Sequence, residues 1–257
     1  MELHSKASSV IAVVAAQADP LAWAVTQRLN ATEPPYLAID PRSLASREVT
    51  LSDGKFYVEG RELSSVLWRV HPTTGLGAGY REEDQLFATQ ETAATWLCAL
   101  RLPSVRAINA YSPTIWYGDF HWAQARLLLQ ADGICVSPLR YGESDGDDAR
   151  WLPYMTLCDA PHPGRVVAKT LGIATTDAQG CWSELVVCGD GVRRPYAKVV
   201  RRVAAVLERH GIRLARVTFD AEDRVLRVDT MPLHFAPDEL DFAADRLVAA
   251  LTHLEAP

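Results

Sequence analysis

Charged side chains cluster near the end of the chain, in a stretch whose apolar residues alternate as they do in a β-hairpin. Two apolar-rich runs, 213–219 and 225–231, flank a polar turn that begins at Asp220. Strand alternation places Arg227 and Asp229 on one face of the second run. The carboxylates of Asp220 and Asp229 are hard oxygen ligands of the kind that Mg²⁺ takes. A surface charge pair of Arg227 with Asp229, worth under about 1 kcal/mol, fits the pattern equally.

Two further basic residues lie in predicted strands. Lys169 follows three apolar residues at the end of one strand, where an ammonium group can hold a phosphate as a point charge. The alternative is an edge lysine that protects the strand from pairing. Arg69 lies in an apolar run over 66–70, and a buried guanidinium needs a partner. That partner is a substrate carboxylate, a phosphate or an internal acid such as Glu91.

Other chemistries find no support in the motifs. The five cysteines include no Cys-x-x-Cys pair, and the histidines lack zinc-ligand spacing. The sequence contains no Walker loop, dinucleotide fingerprint or Gly-x-Ser-x-Gly elbow. Aromatic residues at the start of a predicted helix, Trp116 to Trp122, suit the core, a cleft or the interface of a homodimer.

Composition bounds the class of protein. The 257 residues, 48% hydrophobic and 23% charged, suffice for one large or two small globular domains. A net charge of −6 gives no general affinity for nucleic acid or an anionic membrane. No apolar run approaches the roughly 20 residues that span a bilayer. An odd number of cysteines favours reduced thiols and a cytoplasmic location.

Periodicity predicts the elements that position these residues. Asp19 caps a helix that begins at Pro20, and Asp53-Gly54 forms the tight turn of a hairpin. The β-α-β-hairpin-β order of the first 70 residues predicts an open α/β sheet. Strands are predicted at 9–16, 36–39, 49–58, 66–70, 105–109, 134–136, 166–169 and 183–188, and helices at 19–29, 82–101, 118–131, 195–211 and 238–254.

Blocks in the same order resemble those of the ATP-grasp peptide maturases, which make ω-ester or ω-amide links in ribosomal peptides. Each block is weak alone, and their colinear order carries the resemblance. The blocks are Val66-Leu-Trp-Arg-Val-His-Pro72, Arg106-Ala-Ile-Asn-Ala-Tyr-Ser-Pro113, Gly133-Ile-Cys-Val-Ser-Pro138, Val166-Val-Ala-Lys-Thr170 and the terminal hairpin.

The resemblance implies an α/β, ATP-grasp-like fold with an N-terminal open α/β sheet and a shortened C-terminal α+β lobe. It implies a pre-ATP-grasp-like domain over 1–110, a reduced ATP-grasp-like region over 111–257, and ATP with Mg²⁺ as cofactors of an active ligase. Lys169 takes the place of the lysine that contacts ATP phosphates. Glu184 and Arg194 are candidates for nucleotide contacts, Arg69 for substrate, and Asp220 with Asp229 for metal.

Three departures from the family pattern bear on activity. The family's acid, Glu and Asn positions of the hairpin fall on Thr218, Arg227 and Asp229, so a cation takes the place of a metal ligand. The interval 114–130 contains no lysine, which leaves His121 or Arg126 as substitutes. Only about 25 residues separate Lys169 from the following helix, where the family has a glycine-rich loop and an adenine-contacting strand.

Three functions stay open. We expect a degenerate ATP-grasp-like protein of peptide or specialised-metabolite biosynthesis that binds a peptide or small substrate, or a partner enzyme, without Mg-ATP chemistry. The first alternative is a divergent ATP-dependent carboxylate–amine or carboxylate–alcohol ligase. The second is an ATP-independent enzyme on the remodelled fold. The candidate catalytic residues are Arg69, Lys169 and Arg227.

Overall fold

A computed structural model describes residues 9–70, 76, 79–109, 121–137, 140–143, 151–158, 168–174, 180–192 and 197–252, with the backbone alone in 121–124, 140–143, 151–158 and 168–174. Its strands are β1 (Val10–Ala15), β2 (Tyr36–Ile39), β3 (Val49–Ser52), β4 (Lys55–Val58), β5 (Arg61–Arg69), β6 (Arg106–Ile108), β7 (Arg140–Glu143), β8 (Trp151–Cys158), β9 (Ala168–Ala174), β10 (Trp182–Val187), β11 (Asp190–Gly191), β12 (Leu214–Phe219) and β13 (Val225–Asp229). Its α-helices are α1 (Pro20–Thr32), α2 (Gln85–Arg101), α3 (His121–Ala131), α4 (Lys198–Arg209) and α5 (Pro237–Thr252), with 3-10 turns at Pro41–Ser46 and Glu82–Asp84.

The N-terminal strands form one six-stranded sheet. Strands β2, β1, β5 and β6 are parallel neighbours, and β3 and β4 extend the sheet beside β5 as an antiparallel hairpin. The turn residues Asp53 and Gly54 both have positive φ, as a tight hairpin turn requires. The predicted open α/β sheet is therefore confirmed.

The C-terminal strands form a second, antiparallel sheet in the order β11-β10-β12-β13. The hairpin predicted at 213–231 is present as β12 and β13, with a bulge between Thr218 and Phe219. A short parallel bridge between Val136 and Val225 adds the segment after α3 to its edge. Strands β7, β9 and β8 make a third, smaller antiparallel sheet.

Both faces of the N-terminal sheet are covered. Helix α2 packs on one face, where Trp96 lies 5.7 Å from Trp68 between ring centroids. Helices α1 and α5 pack on the other face together with Leu185 and Leu214 of the second sheet. Helix α5 therefore packs against residues of both sheets in one core. No helix in the ranges given above is long and apolar enough to cross a membrane.

Several predicted bounds were wrong. Strand β5 begins at Arg61, five residues earlier than predicted, because its polar first half lies at the surface beside β4. Strand β9 covers Ala168–Ala174, later than the predicted strand. Strands β7 and β8 were missed. The aromatic residues Trp116, Tyr117 and Phe120 lie outside the described residues.

Candidate functional site

One face of the C-terminal sheet is polar in part. Leu185, Val187 and Leu214 of this face enter the core with α1 and α5, and polar residues lie nearer the hairpin turn. Along β12, Ala215, Val217 and Phe219 enter the core under α3 and α4, so the alternating residues point to the opposite side. Register aligns Ser183 with Thr218 and Thr218 with Arg227 in one row across three strands. The next row aligns Arg216 with Asp229. We call this set of five residues (Ser183, Arg216, Thr218, Arg227 and Asp229) the polar face.

Arg227 is the cation of this face that has no counter-ion in the described part of the chain. Its Nε is buried and has no hydrogen-bond partner. Beside it, the hydroxyls of Ser183 and Thr218 are hydrogen-bonded to each other at 3.1 Å. Asp229, two residues further along β13, accepts a hydrogen bond from the backbone N–H of Met231. An incoming anion would therefore meet a guanidinium group with hydroxyls next to it.

The second arginine of the face is already neutralised. Arg216 donates to both carboxylate oxygens of the buried Glu239, at 3.1 and 2.8 Å, and to the carbonyl oxygen of His234. The hydrogen bonds that Arg216 donates to Glu239 raise the pKa of Arg216. Neither Arg216 nor Glu239 was singled out from the sequence, because 23 positions separate them and only the tertiary fold brings them together.

Asp220 organises the hairpin turn. Its carboxylate accepts from the backbone N–H of Glu222 and of Arg224 and from Arg224 Nε at 2.7 Å. Burial opposes ionisation, but the hydrogen bonds from Arg224 and from Ser137 outweigh it and hold the pKa of Asp220 below its usual value. Asp220 lies at the turn and Asp229 at the far end of the hairpin, so the structure does not bring the two predicted metal ligands together.

Magnesium does not fit the donors of the polar face. The face offers one carboxylate, Asp229, and places the Arg227 cation two residues away on the same side, about 7 Å between Cα atoms. A dication at about 6 Å from a guanidinium is repelled by about 1 kcal/mol in bulk water and about 5 kcal/mol at an effective dielectric constant of 20. Among the residues with described positions, no group of three or more His, Cys, Asp or Glu side chains could hold a metal.

Arg69 is engaged within the protein. Its guanidinium pairs with Asp19 at 2.8 Å and donates to the carbonyl oxygen of Pro232, with only 2% and 8% of the two ion-pair side chains exposed. Asp19 also caps α1 by accepting from Ala22. The expected internal acid is thus Asp19, and Glu91 as the partner was wrong. Arg69 fixes the end of β5 to the segment that follows β13.

Asn109, which lies in one of the blocks that carry the family resemblance, makes a second connection between the sheets. Its amide donates to the carbonyl oxygens of Leu214 and Thr230, at 2.8 and 2.7 Å. Its side-chain oxygen accepts from the backbone N–H of Arg213 and Leu214, both at 2.8 Å. The residue holds φ at 55°, which asparagine tolerates better than most residues. One side chain thus joins β6 to both strands of the hairpin.

The remaining predicted site residues are scattered. Lys169 lies in β9, in register with Leu157 of β8, and its side chain is outside the described atoms, as is all of Arg194. Glu184 is fully buried and aligned with Val217, on the sheet face opposite the polar face. Arg126 is buried and donates to the carbonyl oxygen of Ser137. Of these, the side chains of Glu184 and Arg126 are described, and neither is brought to Arg227.

Two cavities, of about 340 and 350 Å³, open on the N-terminal sheet. The first lies beside the ends of β1 and β2, next to the exposed Trp23. The second lies between α2 and β3. Neither is lined by a residue of the polar face, so we base the site on the unpaired Arg227 and not on cavity size.

Comparison with known proteins shows the fold. The chain matches no family model and no curated protein. It is similar in structure to the ATP-grasp ligase PsnB complexed with minimal precursor, Mg and ADP, with a TM-score of 0.66 and 14% identity over 94% of this chain and 98% of that chain. It is also similar to the macrocyclase MdnC of Microcystis aeruginosa bound with precursor peptide MdnA, with a TM-score of 0.65 and 10% identity over 94% and 98% of the two chains.

A third similar structure is the RiPP-associated ATP-grasp ligase of Chryseobacterium gregarium, in complex with ADP and a leader and core peptide. Its TM-score is 0.58, with 9% identity over 95% of both chains. The predicted ATP-grasp-like fold of the maturase type is confirmed. At such low sequence identities, structural similarity establishes the fold alone. The chemistry has to be inferred from the residues of this chain.

Proposed function

We propose that this chain is an ATP-grasp-like protein of peptide modification, in natural-product biosynthesis, whose polar face binds an anionic group of a peptide or small substrate without Mg-ATP ligase chemistry. The observation that carries the proposal is Arg227, a half-buried cation whose Nε has no hydrogen-bond partner among the residues with described positions. It stands two residues from Asp229, the carboxylate of this face.

Electrostatics favours an anionic group at this position. A buried donor left unpaired costs about 1–3 kcal/mol, and a bound carboxylate would remove that cost. A guanidinium binds a carboxylate through two parallel N–H donors, which sets orientation as well as affinity. One of the hydroxyls of Ser183 and Thr218 donates its hydrogen to the other, so the second hydroxyl hydrogen is left to donate to the same ligand. Asp229 disfavours a second negative charge, which limits the site to a single carboxylate.

A peptide is the substrate class that the structural neighbours suggest. PsnB and MdnC were each solved with a precursor peptide, and both share the fold over nearly the whole chain. Peptides supply carboxylates through aspartate and glutamate side chains. The proposed ligand is therefore a peptide that presents an acidic side chain to Arg227.

Fluorescence anisotropy in EDTA tests the proposal. The probes are labelled dodecapeptides with two glutamates in varied contexts, each paired with a version that carries glutamine instead. We expect glutamate-dependent binding that weakens at least about tenfold in Arg227→Ala. Arg201→Ala is the matched control, since Arg201 is an exposed residue of α4. The proposal would be overturned if the glutamine peptides bound as tightly as the glutamate peptides. It would also be overturned if Arg227→Ala and wild type bound the glutamate peptides equally well.

An ATP-dependent ligase is the second candidate, and the position of Lys169 favours it. The lysine lies in β9, the central strand of the three-stranded sheet β7-β9-β8, where the resemblance expects a phosphate contact. Similar folds were solved with Mg and ADP. ADP formation that requires Mg²⁺ and an acceptor, and that Lys169→Ala abolishes, would establish this function in place of the first.

A further inference from the structure

A groove on the N-terminal sheet, far in sequence from the polar face, has the features of a docking site. It is the cavity of about 350 Å³ between the 3-10 turn at Pro41–Ser46, strand β3 and helix α2. We call it the α2 groove. Its floor is apolar and includes Leu44, Val49, Ala88 and Trp96. The volume is at the lower end of the about 300–1,000 Å³ of ligand pockets, so it has room for one or two side chains.

Large aromatic side chains at the rim of the groove face solvent. Phe87, in the first turn of α2, is 66% exposed, and Tyr80, which precedes the helix, is 47% exposed. Both line the cavity. A single exposed aromatic residue is ordinary, but two on the rim of an apolar groove form a contiguous apolar surface of the kind that marks interaction sites. A partner that covers Phe87 and Tyr80 would remove this surface from water.

The rim is also acidic. Asp84 and Glu91 line the groove, and Glu82 and Glu83 lie in the 3-10 turn beside it. Within the described ranges, Glu82, Asp84 and Glu91 have no ion-pair partner. The arginine that lines the groove, Arg47, is held by Glu59.

Positive charges of the protein therefore neutralise little of the negative potential at this rim. That potential decides by charge which partner can bind. The rim repels the phosphates of nucleic acid and anionic lipid, and it repels the same acidic face of a second copy of this chain. A positively charged partner is attracted to it.

From these features we infer that the α2 groove docks a basic peptide segment, in which a bulky apolar side chain enters between Phe87 and Tyr80 while flanking lysines or arginines meet the acidic rim. An aromatic or aliphatic anchor in a pocket, surrounded by a charged rim, is the usual anatomy of such an interface. This site is independent of the polar face, since it uses no residue of the C-terminal sheet. It gives the N-terminal sheet a role in recruiting a basic peptide segment.

Labelled tetradecapeptide probes test the inference. Each probe carries one phenylalanine or leucine anchor flanked by four lysines, in three registers, and a second set replaces the lysines with glutamates. Anisotropy titration of the full chain should show binding of a lysine probe and none of its glutamate counterpart. Failure of all three lysine registers to bind, or equal binding of the glutamate set, would overturn the inference.

Paired variants locate the binding. Phe87→Ser should weaken the lysine probe at least about tenfold, whereas Leu51→Ser, at another exposed apolar residue outside the groove, should not. Glu91→Lys should weaken the lysine probe and let the glutamate probe bind, whereas Glu33→Lys, at an exposed residue after α1, should do neither. Equal loss in Phe87→Ser and Leu51→Ser would place the probe elsewhere. Unchanged circular dichroism confirms that these surface variants fold.

Discussion

Replacing Asn109 should loosen the connection between the two sheets. Its side chain makes four hydrogen bonds to the backbone of the hairpin, at 2.7 and 2.8 Å. Each such bond contributes about 1 kcal/mol net, and the carbonyl and N–H of the buried Leu214 would be left without these partners. Alanine also tolerates the observed φ of 55° less well than asparagine, by about 1 kcal/mol. The four bonds share partners and do not add fully, so we expect Asn109→Ala to cost about 3–4 kcal/mol.

Urea and thermal unfolding measure this cost. At about 2–4 °C per kcal/mol for a chain of this size, the melting temperature should fall by about 6–16 °C. Asn30→Ala is the natural control, because Asn30 is the other asparagine of the chain and is exposed on α1, where it accepts one hydrogen bond from Tyr36. A melting temperature of Asn109→Ala that equals that of Asn30→Ala would refute the view that Asn109 holds the sheets together.

Three further predictions follow from buried charges and thiols. Arg69→Ala should cost about 3–5 kcal/mol in urea unfolding, because it leaves the buried Asp19 carboxylate without its cation. Burial raises the pKa of the Cys188 thiol to about 11, so iodoacetamide at pH 8 should label the exposed Cys98 much faster, as mass spectrometry of the digest would show. Because hydrogen bonds hold the pKa of Asp220 below its ordinary value, wild type should exceed Asp220→Asn in stability by about 1 kcal/mol at pH 7, and the difference should vanish as the pH falls below about 4.

Each of these predictions has a result that would contradict it. A loss under about 1 kcal/mol in Arg69→Ala would show that Asp19 is solvated or finds another partner. Cys188 that labels as fast as Cys98 in the native protein, and not only after denaturation, would mean that its thiol is accessible. If the difference in stability between wild type and Asp220→Asn stayed constant down to pH 2, the ionised carboxylate of Asp220 would not be what stabilises the turn.

The hairpin shows how much of the structure the alternation of apolar and polar residues can predict. Period-two apolar residues predicted β12 and β13 and placed Arg227 and Asp229 on one face, and the register confirms that placement. The sequence also identified Thr218 as their neighbour through the family resemblance. It could not show that Arg227 lacks a counter-ion, because that depends on every residue packed around it.

The sequence did not reveal which residues far apart in the chain contact each other. Arg69 was expected to meet a substrate, a phosphate or Glu91, yet its partner is Asp19. Strands β1 and β5 are parallel neighbours, so their carboxyl ends meet at one edge and bring the start of α1 beside Arg69. That topological argument was available once the strand order was known. For Asn109 the resemblance marked the block that contains it but not its partners, since its four hydrogen bonds reach residues more than 100 positions away.

Electron paramagnetic resonance with Mn²⁺ in place of Mg²⁺ tests the central claim most directly. The full chain is titrated with Mn²⁺ in the presence of ATP, and the signal of the free complex is compared with that of protein-bound ion. Because Arg227 repels a dication beside the carboxylate of Asp229, we expect wild type to show only the free Mn²⁺–ATP spectrum. Arg227→Glu, which places two carboxylates on this face, should gain a bound signal. Micromolar binding by wild type that Lys169→Ala abolishes would contradict the account and restore the ligase as the function of this chain.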